Sequence, residues 1–155
     1  LHIEIEAAAE YYFDETLFEI LAKKEFLTFG GNKVLVEFSF ATAPSGHETL
    51  LFDMLSKNYK PVIAHFERYI FFHGSVEQAR HWRENGILIQ LNINSLCGHY
   101  GLAVKKQAEA LVDAGLVDFI ATDCHRIEHL MILENQLSNP YLRKALELPL
   151  KNADL

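Results

Sequence analysis

The sequence predicts an α/β protein, an incomplete barrel of alternating strands and helices, and three observations carry that expectation. Short β-type runs alternate with stretches of helical period, as in βα units around a parallel sheet. A residue able to bind a metal ion stands at the C-terminal end of nearly every predicted strand, the edge where barrels place their active sites. The chain has 155 residues, whereas a closed barrel of eight βα units takes roughly 200–250.

Leu1–Ala8 alternates as a strand, and Glu15–Lys24 places Leu17, Ile20 and Leu21 on one helical face. Gly30-Gly31-Asn32 forms a turn into a second strand, Lys33–Phe40. Ser45 or Gly46 starts a helix running to about Asn58, and Pro61 opens the strand Val62-Ile63-Ala64. Ser75 caps a helix to Glu84, which Gly86 ends. Ile87–Leu91 reads as a buried strand, Leu102–Ala114 as a helix closed by Gly115, and Leu116–Ala121 as the last strand. Helices near Ile127–Leu137 and Pro140–Glu147 finish the chain. The five strands are expected to be mostly parallel.

Half of the residues are hydrophobic, with 11 Phe and 6 Tyr, enough for a substantial core in one domain covering residues 1–155. A net charge of −7 without a Lys/Arg stripe argues against a nucleic-acid partner. Two cysteines, Cys97 and Cys124, outside any CxxC pair suit a reducing compartment, and the cytoplasm is the expected location. No apolar run has the length of a membrane span or the flanks of a signal peptide, so no membrane insertion is expected. Because the chain begins at Leu1, inside a strand-like pattern, upstream sequence is expected to be missing.

The candidate ligands are Glu10 after the first strand, Glu37 in the second, His65 after the third, and Asp123 and His125 after the fifth; Asn92 and Asn94 follow the fourth. Taken singly, each has a structural alternative: Glu37 in an ion pair, His65 as a hydrogen-bonded core histidine, Asp123 as a helix cap. Together they point to a shared cation, since buried carboxylates and imidazoles need partners. Mixed oxygen and nitrogen donors suit Mn²⁺, Fe²⁺ or Zn²⁺. Arg68, three residues beyond His65, is placed to grip phosphate bidentately, with an ion pair to Glu67 or Glu84 as the alternative. Arg126 is a second phosphate candidate or a support for the following helix. His73, His81 and His99 lack a ligand spacing, and His129, four residues after His125 at a helical spacing that could pair them, has no Glu in the HExxH position; all four are left outside the site.

Other chemistries fail on the residues. Six residues past Cys97 stands Ala103 and six past Cys124 stands Leu130, so there is no cysteine-phosphatase loop. Gly30-Gly31-Asn32-Lys33 leads into a strand rather than from strand to helix, unlike a P-loop, and no GxSxG elbow occurs. Gly98-His99-Tyr100-Gly101 reads as a tight turn opening a helix.

The segments Val62-Ile63-Ala64-His65-Phe66-Glu67-Arg68-Tyr69, Gln90–Gly101 and Thr122-Asp123-Cys124-His125 resemble the CpsB/CapC tyrosine-protein phosphatases of the polymerase and histidinol phosphatase (PHP) superfamily. Ala9–Tyr12 and Leu35–Ser39 fall in the same order, so the likeness runs from residue 1 to about 137. It implies the C-terminal portion of a PHP-type, TIM-like distorted barrel lacking its first strands. It also implies metal-dependent hydrolysis of phosphotyrosine, most often with Mn²⁺, on the tyrosine-rich tail of a capsule or exopolysaccharide kinase. By that resemblance Glu10 bridges two metals, Glu37 and His65 bind the second, Asp123 the first and His125 a third, while Arg68 holds phosphate. Phe66 stands where the family usually has Pro, and the family's His-x-His pair on its first strand has no counterpart. The expectation is therefore an isolated chain that binds metal weakly and turns over poorly. A histidinol-phosphatase-like enzyme for small phosphomonoesters, or an inactive, self-associating homo-oligomeric assembly module, are the competing expectations.

Overall fold

The computed structural model describes residues 5–154. Five strands, β1 (Glu10–Tyr12), β2 (Lys33–Glu37), β3 (Lys60–Ile63), β4 (Leu88–Asn92) and β5 (Phe119–Ala121), form one sheet in the order β1-β2-β3-β4-β5. Every pairing is parallel. Helices α1 (Glu15–Lys23), α2 (His47–Ser56), α3 (Glu77–Glu84) and α5 (Leu102–Asp113) lie between successive strands, with the one-turn α4 (Ile93–Leu96) directly after β4. After β5 come α6 (Ile127–Asn135) and α7 (Pro140–Leu146).

Local chemistry sets most of these limits. Asp14 caps α1 by accepting from the Thr16 N–H at 2.8 Å. Asn139 caps α7, accepting from Tyr141 and Leu142, and Pro140 fills the first turn, where no N–H is needed. Gly86 takes φ +86° just after α3 and turns the chain into β4, a conformation that costs a side chain-bearing residue about 1 kcal/mol or more.

The first strand departs from expectation. Of Leu1–Ala8, residues 1–4 lie outside the described residues, and 5–9 form no strand; β1 begins at Glu10. The register explains this. Glu10 pairs with Leu35, so Ala8 would pair with Lys33, but the Lys33 N–H and carbonyl are taken by Phe29 across the turn at Gly30 and Gly31, both at positive φ. Glu10 therefore opens its strand instead of following it. The second strand also stops early, at Glu37, because Phe38 gives its N–H to the Tyr69 hydroxyl (3.0 Å) rather than to a neighbouring strand. Likewise β5 starts at Phe119, not Leu116.

One face of the sheet carries Val34, Val36, Ile63, Ile89 and Leu91, all fully buried. Leu17 and Leu21 of α1, Leu50, Leu51 and Met54 of α2, Trp82 of α3 and Leu111 of α5 join them in a single core. The opposite face curls. Phe29, just before β2, packs edge-on against Phe119 of β5 with ring centroids 6.1 Å apart, although three strand spacings in a flat sheet would separate them by roughly 14 Å. The trough so formed encloses a cavity of about 400 Å³.

Trp82 anchors the helical side, fully buried with the rings of Phe38, Phe66 and Phe72 within 5.4–5.9 Å. Trp82→Ala should lower the unfolding free energy by about 3–5 kcal/mol, read from the midpoint of urea denaturation at constant slope. A cost under ~1 kcal/mol would show that this cluster is not the core's anchor.

Candidate metal centre

Period-two alternation decides which side chains enter the trough. Glu10 pairs with Leu35 and Tyr12 with Glu37, so Glu10 and Glu37 lie on the same face one rung apart. His65 follows β3 at φ +32°, a left-handed turn that swings its imidazole back over that face. His65 Nε2 is then 3.1 Å from Glu10 Oε1 and 3.4 Å from Glu37 Oε1. One ligand atom from each of Glu10, Glu37 and His65 fits within a 4.8 Å cluster.

The donor count favours a cation at this point. A neutral imidazole offers one proton at Nε2 at most and can satisfy one carboxylate, not two. Burial pushes the Glu37 carboxyl up, and the neighbouring Glu10 charge adds to that. The hydrogen bond to His65 holds Glu10 below the usual carboxylate range against its own partial burial. His65 Nδ1 is buried without a partner, and its ring is fixed by packing on Phe40 (5.4 Å) and Tyr69 (5.7 Å). A divalent ion between the three groups would satisfy both carboxylates and the imidazole together.

Asp123, also at positive φ (+48°), stands across the trough. Its Oδ2 accepts from Asn92 Nδ2 at 2.9 Å and from Arg68 Nη1 at 3.3 Å, and its Oδ1 lies 3.3 Å from His125 Nδ1. Arg68 thus pairs with Asp123, not with Glu67 or Glu84. Its guanidinium carbon sits 4.2 Å from the centre of the Phe40 ring and 4.4 Å from that of Tyr100. Cation–π contact with the two rings restrains the guanidinium, whose remaining N–H groups stay available for hydrogen bonds.

Of the residues expected in the site, Glu10, Glu37 and His65 form one cluster, and Arg68, Asp123 and His125 a second beside it. Arg126 is exposed at the start of α6 and makes no side-chain hydrogen bond or ion pair among the described residues. His129, left outside the site on its spacing, is buried with Nδ1 3.2 Å from the Asp123 carbonyl; its position four residues after His125 was the available signal. His73 and His81 stay away: His73 Nε2 bonds the Glu67 carbonyl and His81 is exposed on α3. Asn94 is buried and donates to the His129 carbonyl.

Glu67 has the opposite role from the surface ion-pair partner envisaged for it. It is fully buried, and its Oε1 accepts from the Asn92 N–H (3.1 Å) and the Ser95 hydroxyl (2.6 Å). Loss of water pushes its carboxyl up.

The arrangement defines a parallel α/β protein with a carboxylate–imidazole cluster suited to a divalent cation. The chain belongs to the capsular polysaccharide synthesis CpsB/CapC family, whose model matches residues 1–145. It is 35% identical over 144 residues to the tyrosine-protein phosphatase YwqE of Bacillus subtilis, covering 85% of this chain and 57% of that protein. It is 31% identical over 126 residues to a putative tyrosine-protein phosphatase CapC of Staphylococcus aureus, covering 79% of this chain and 49% of the relative. Crystal structures of YwqE from Bacillus subtilis and CpsB from Streptococcus pneumoniae, described as metal-dependent tyrosine phosphatases, share the fold. The match has a TM-score of 0.69 at 29% identity and covers 92% of this chain and 63% of the other. The chain thus spans between 49% and 63% of the length of these relatives.

Glu67 supplies a test of the site's foundation. A raised carboxyl pKa favours the fold below the unfolded value, and that stability is lost as pH rises through the folded value. Glu67→Gln keeps an acceptor oxygen for Asn92 and Ser95 and removes the ionisation. It should melt above the wild type at pH 8, with the gap narrowing toward pH 5. A gap that widens toward pH 5 would reverse the assigned sign.

Proposed function

We propose that this chain is the C-terminal portion of a single PHP-type phosphoesterase domain, an incomplete TIM-like barrel, whose activity is metal-dependent hydrolysis of phosphotyrosine. One observation carries the reading: Glu10, Glu37 and His65 converge within 4.8 Å at the same sheet edge as the Arg68–Asp123 pair. An anion-gripping arginine beside a cation-binding cluster is the equipment of phosphoryl transfer.

In this reading Glu10, Glu37 and His65 hold one divalent ion, and Asp123, His125 and Glu10 hold others, with Mn²⁺ the preferred metal. Bound ions would supply charge neutralisation to the phosphoryl oxygens. Arg68 takes phosphate oxygens on the N–H groups left free, since Nη1 is already engaged by Asp123 and the guanidinium is held against Phe40 and Tyr100. Arg126, at the rim, supports α6 or meets the outer part of the substrate. The substrate is a phosphotyrosyl segment of a capsule or exopolysaccharide kinase, and the compartment is the cytoplasm. No helix among the described residues is long and apolar enough to cross a membrane.

Phosphotyrosyl-peptide hydrolysis by this chain should be slow, lost after EDTA treatment, restored by added Mn²⁺ and abolished by Asp123→Ala, and robust turnover would refute the expectation of a poorly active isolated chain. Arg68→Ala should lose about 100-fold in turnover, the scale for removing a preorganised donor. Faster hydrolysis of histidinol phosphate would move the assignment to small phosphomonoesters. Activity indifferent to EDTA, or retained by Asp123→Ala, would end the metal-dependent reading.

A further inference from the structure

We propose that Gln90 and Asn92 form a polar strut that fixes the spacing between His65 and Asp123, acting as positioning residues for the metal centre. The proposal rests on the reading of His65 and Asp123 as metal ligands.

The strut is a continuous line of hydrogen bonds. The His65 backbone N–H donates to Gln90 Oε1 at 2.7 Å, Gln90 Nε2 donates to Asn92 Oδ1 at 2.8 Å, and Asn92 Nδ2 donates to Asp123 Oδ2 at 2.9 Å. Gln90 and Asn92 stand two apart on β4 and so share its trough face. Gln90 is 6% exposed and Asn92 fully buried, so water does not compete for these bonds.

The direction of both carboxamides is forced. A backbone N–H only donates and an aspartate carboxylate only accepts, so each amide must present oxygen toward His65 and nitrogen toward Asp123. Turning either one around sets donor against donor or acceptor against acceptor.

The ends of the strut are where support is needed. His65 (φ +32°) and Asp123 (φ +48°) are both non-glycine residues in the left-handed region, and such backbone persists where surrounding contacts over-determine it. The line also closes into a ring. Arg68, on the one-turn helix that follows His65, donates to the same Oδ2 of Asp123. With Oδ2 holding two donors, Oδ1 is the oxygen left to turn toward His125. Glu67, accepting from the Asn92 N–H, fixes the end of β4 from beneath.

The test compares the wild type, Asn92→Ala, Gln90→Met and the double variant by Mn²⁺ affinity (electron paramagnetic resonance of free Mn²⁺), melting temperature and phosphotyrosyl-peptide hydrolysis. Asn92→Ala is expected to weaken Mn²⁺ binding by about 10–100-fold, the range for groups that orient a ligand. Gln90→Met, which touches neither ligand side chain, should weaken it in the same direction. The double variant should lose no more than Asn92→Ala, because either change already breaks the same line between His65 and Asp123. If Asn92→Ala does not fold by near-ultraviolet circular dichroism, Gln90→Met decides alone. Variants that melt lower yet bind Mn²⁺ as the wild type does would reduce the strut to core packing and overturn the proposal. A wild type that binds no Mn²⁺ would overturn the metal-centre reading and the strut with it. A wild type that binds Mn²⁺ without hydrolysing phosphotyrosine would leave the strut standing and remove the activity.

Discussion

The curl of the parallel sheet is the constraint on which the rest of the structure depends. A flat five-stranded sheet would hold β1 and β5 about 19 Å apart. Here the ring of Phe29 reaches Phe119, and the end of β5 returns toward β1 closely enough for Glu10 and Asp123 to line one cavity. The helices follow from the same curvature. They cover the convex face, where the aliphatic residues of β2, β3 and β4 are fully buried, and they leave the trough to polar groups at its rim.

Within the trough, desolvation and pairing oppose each other residue by residue. Glu10 keeps its charge because His65 offers a hydrogen bond larger in effect than the cost of partial burial. Glu37 lacks an equally good donor, and burial wins. Glu67, with no solvent at all, is driven toward the neutral form despite two hydrogen bonds. Three carboxyls near one imidazole thus occupy three electrostatic situations, a division that identical residue types acquire only from the fold.

Much of this was legible in the sequence because it depends on periodicity. Strands β2, β3 and β4 and helices α1, α2 and α5 follow from apolar patterning and caps, and a polar residue at each strand end follows from where patterning stops. What escaped depends on register or on distant partners. The start of β1 at Glu10 is set by the start of β2, where Lys33 is bridged to Phe29 across the Gly30-Gly31 turn. Glu67 looked like a surface acid beside an arginine, yet a one-turn helix sends the two side chains in opposite directions, one into the core and one across the trough. The spacing of His129 from His125 was visible, but its approach to the Asp123 carbonyl comes from the left-handed turn at Asp123, which local sequence does not announce.

The ring-lined seat of Arg68 has a consequence for molecular selection. An arginine on a free stem can tilt to meet a ligand from many directions. One held against both Phe40 and Tyr100 has surrendered that freedom before any ligand arrives. Oxygens arriving at its uncovered N–H groups meet hydrogen-bond donors, and those arriving from the side of either ring meet hydrocarbon. The seat therefore filters by the angle of entry as well as by charge, and a lysine, with neither plane nor fork, cannot inherit that filter.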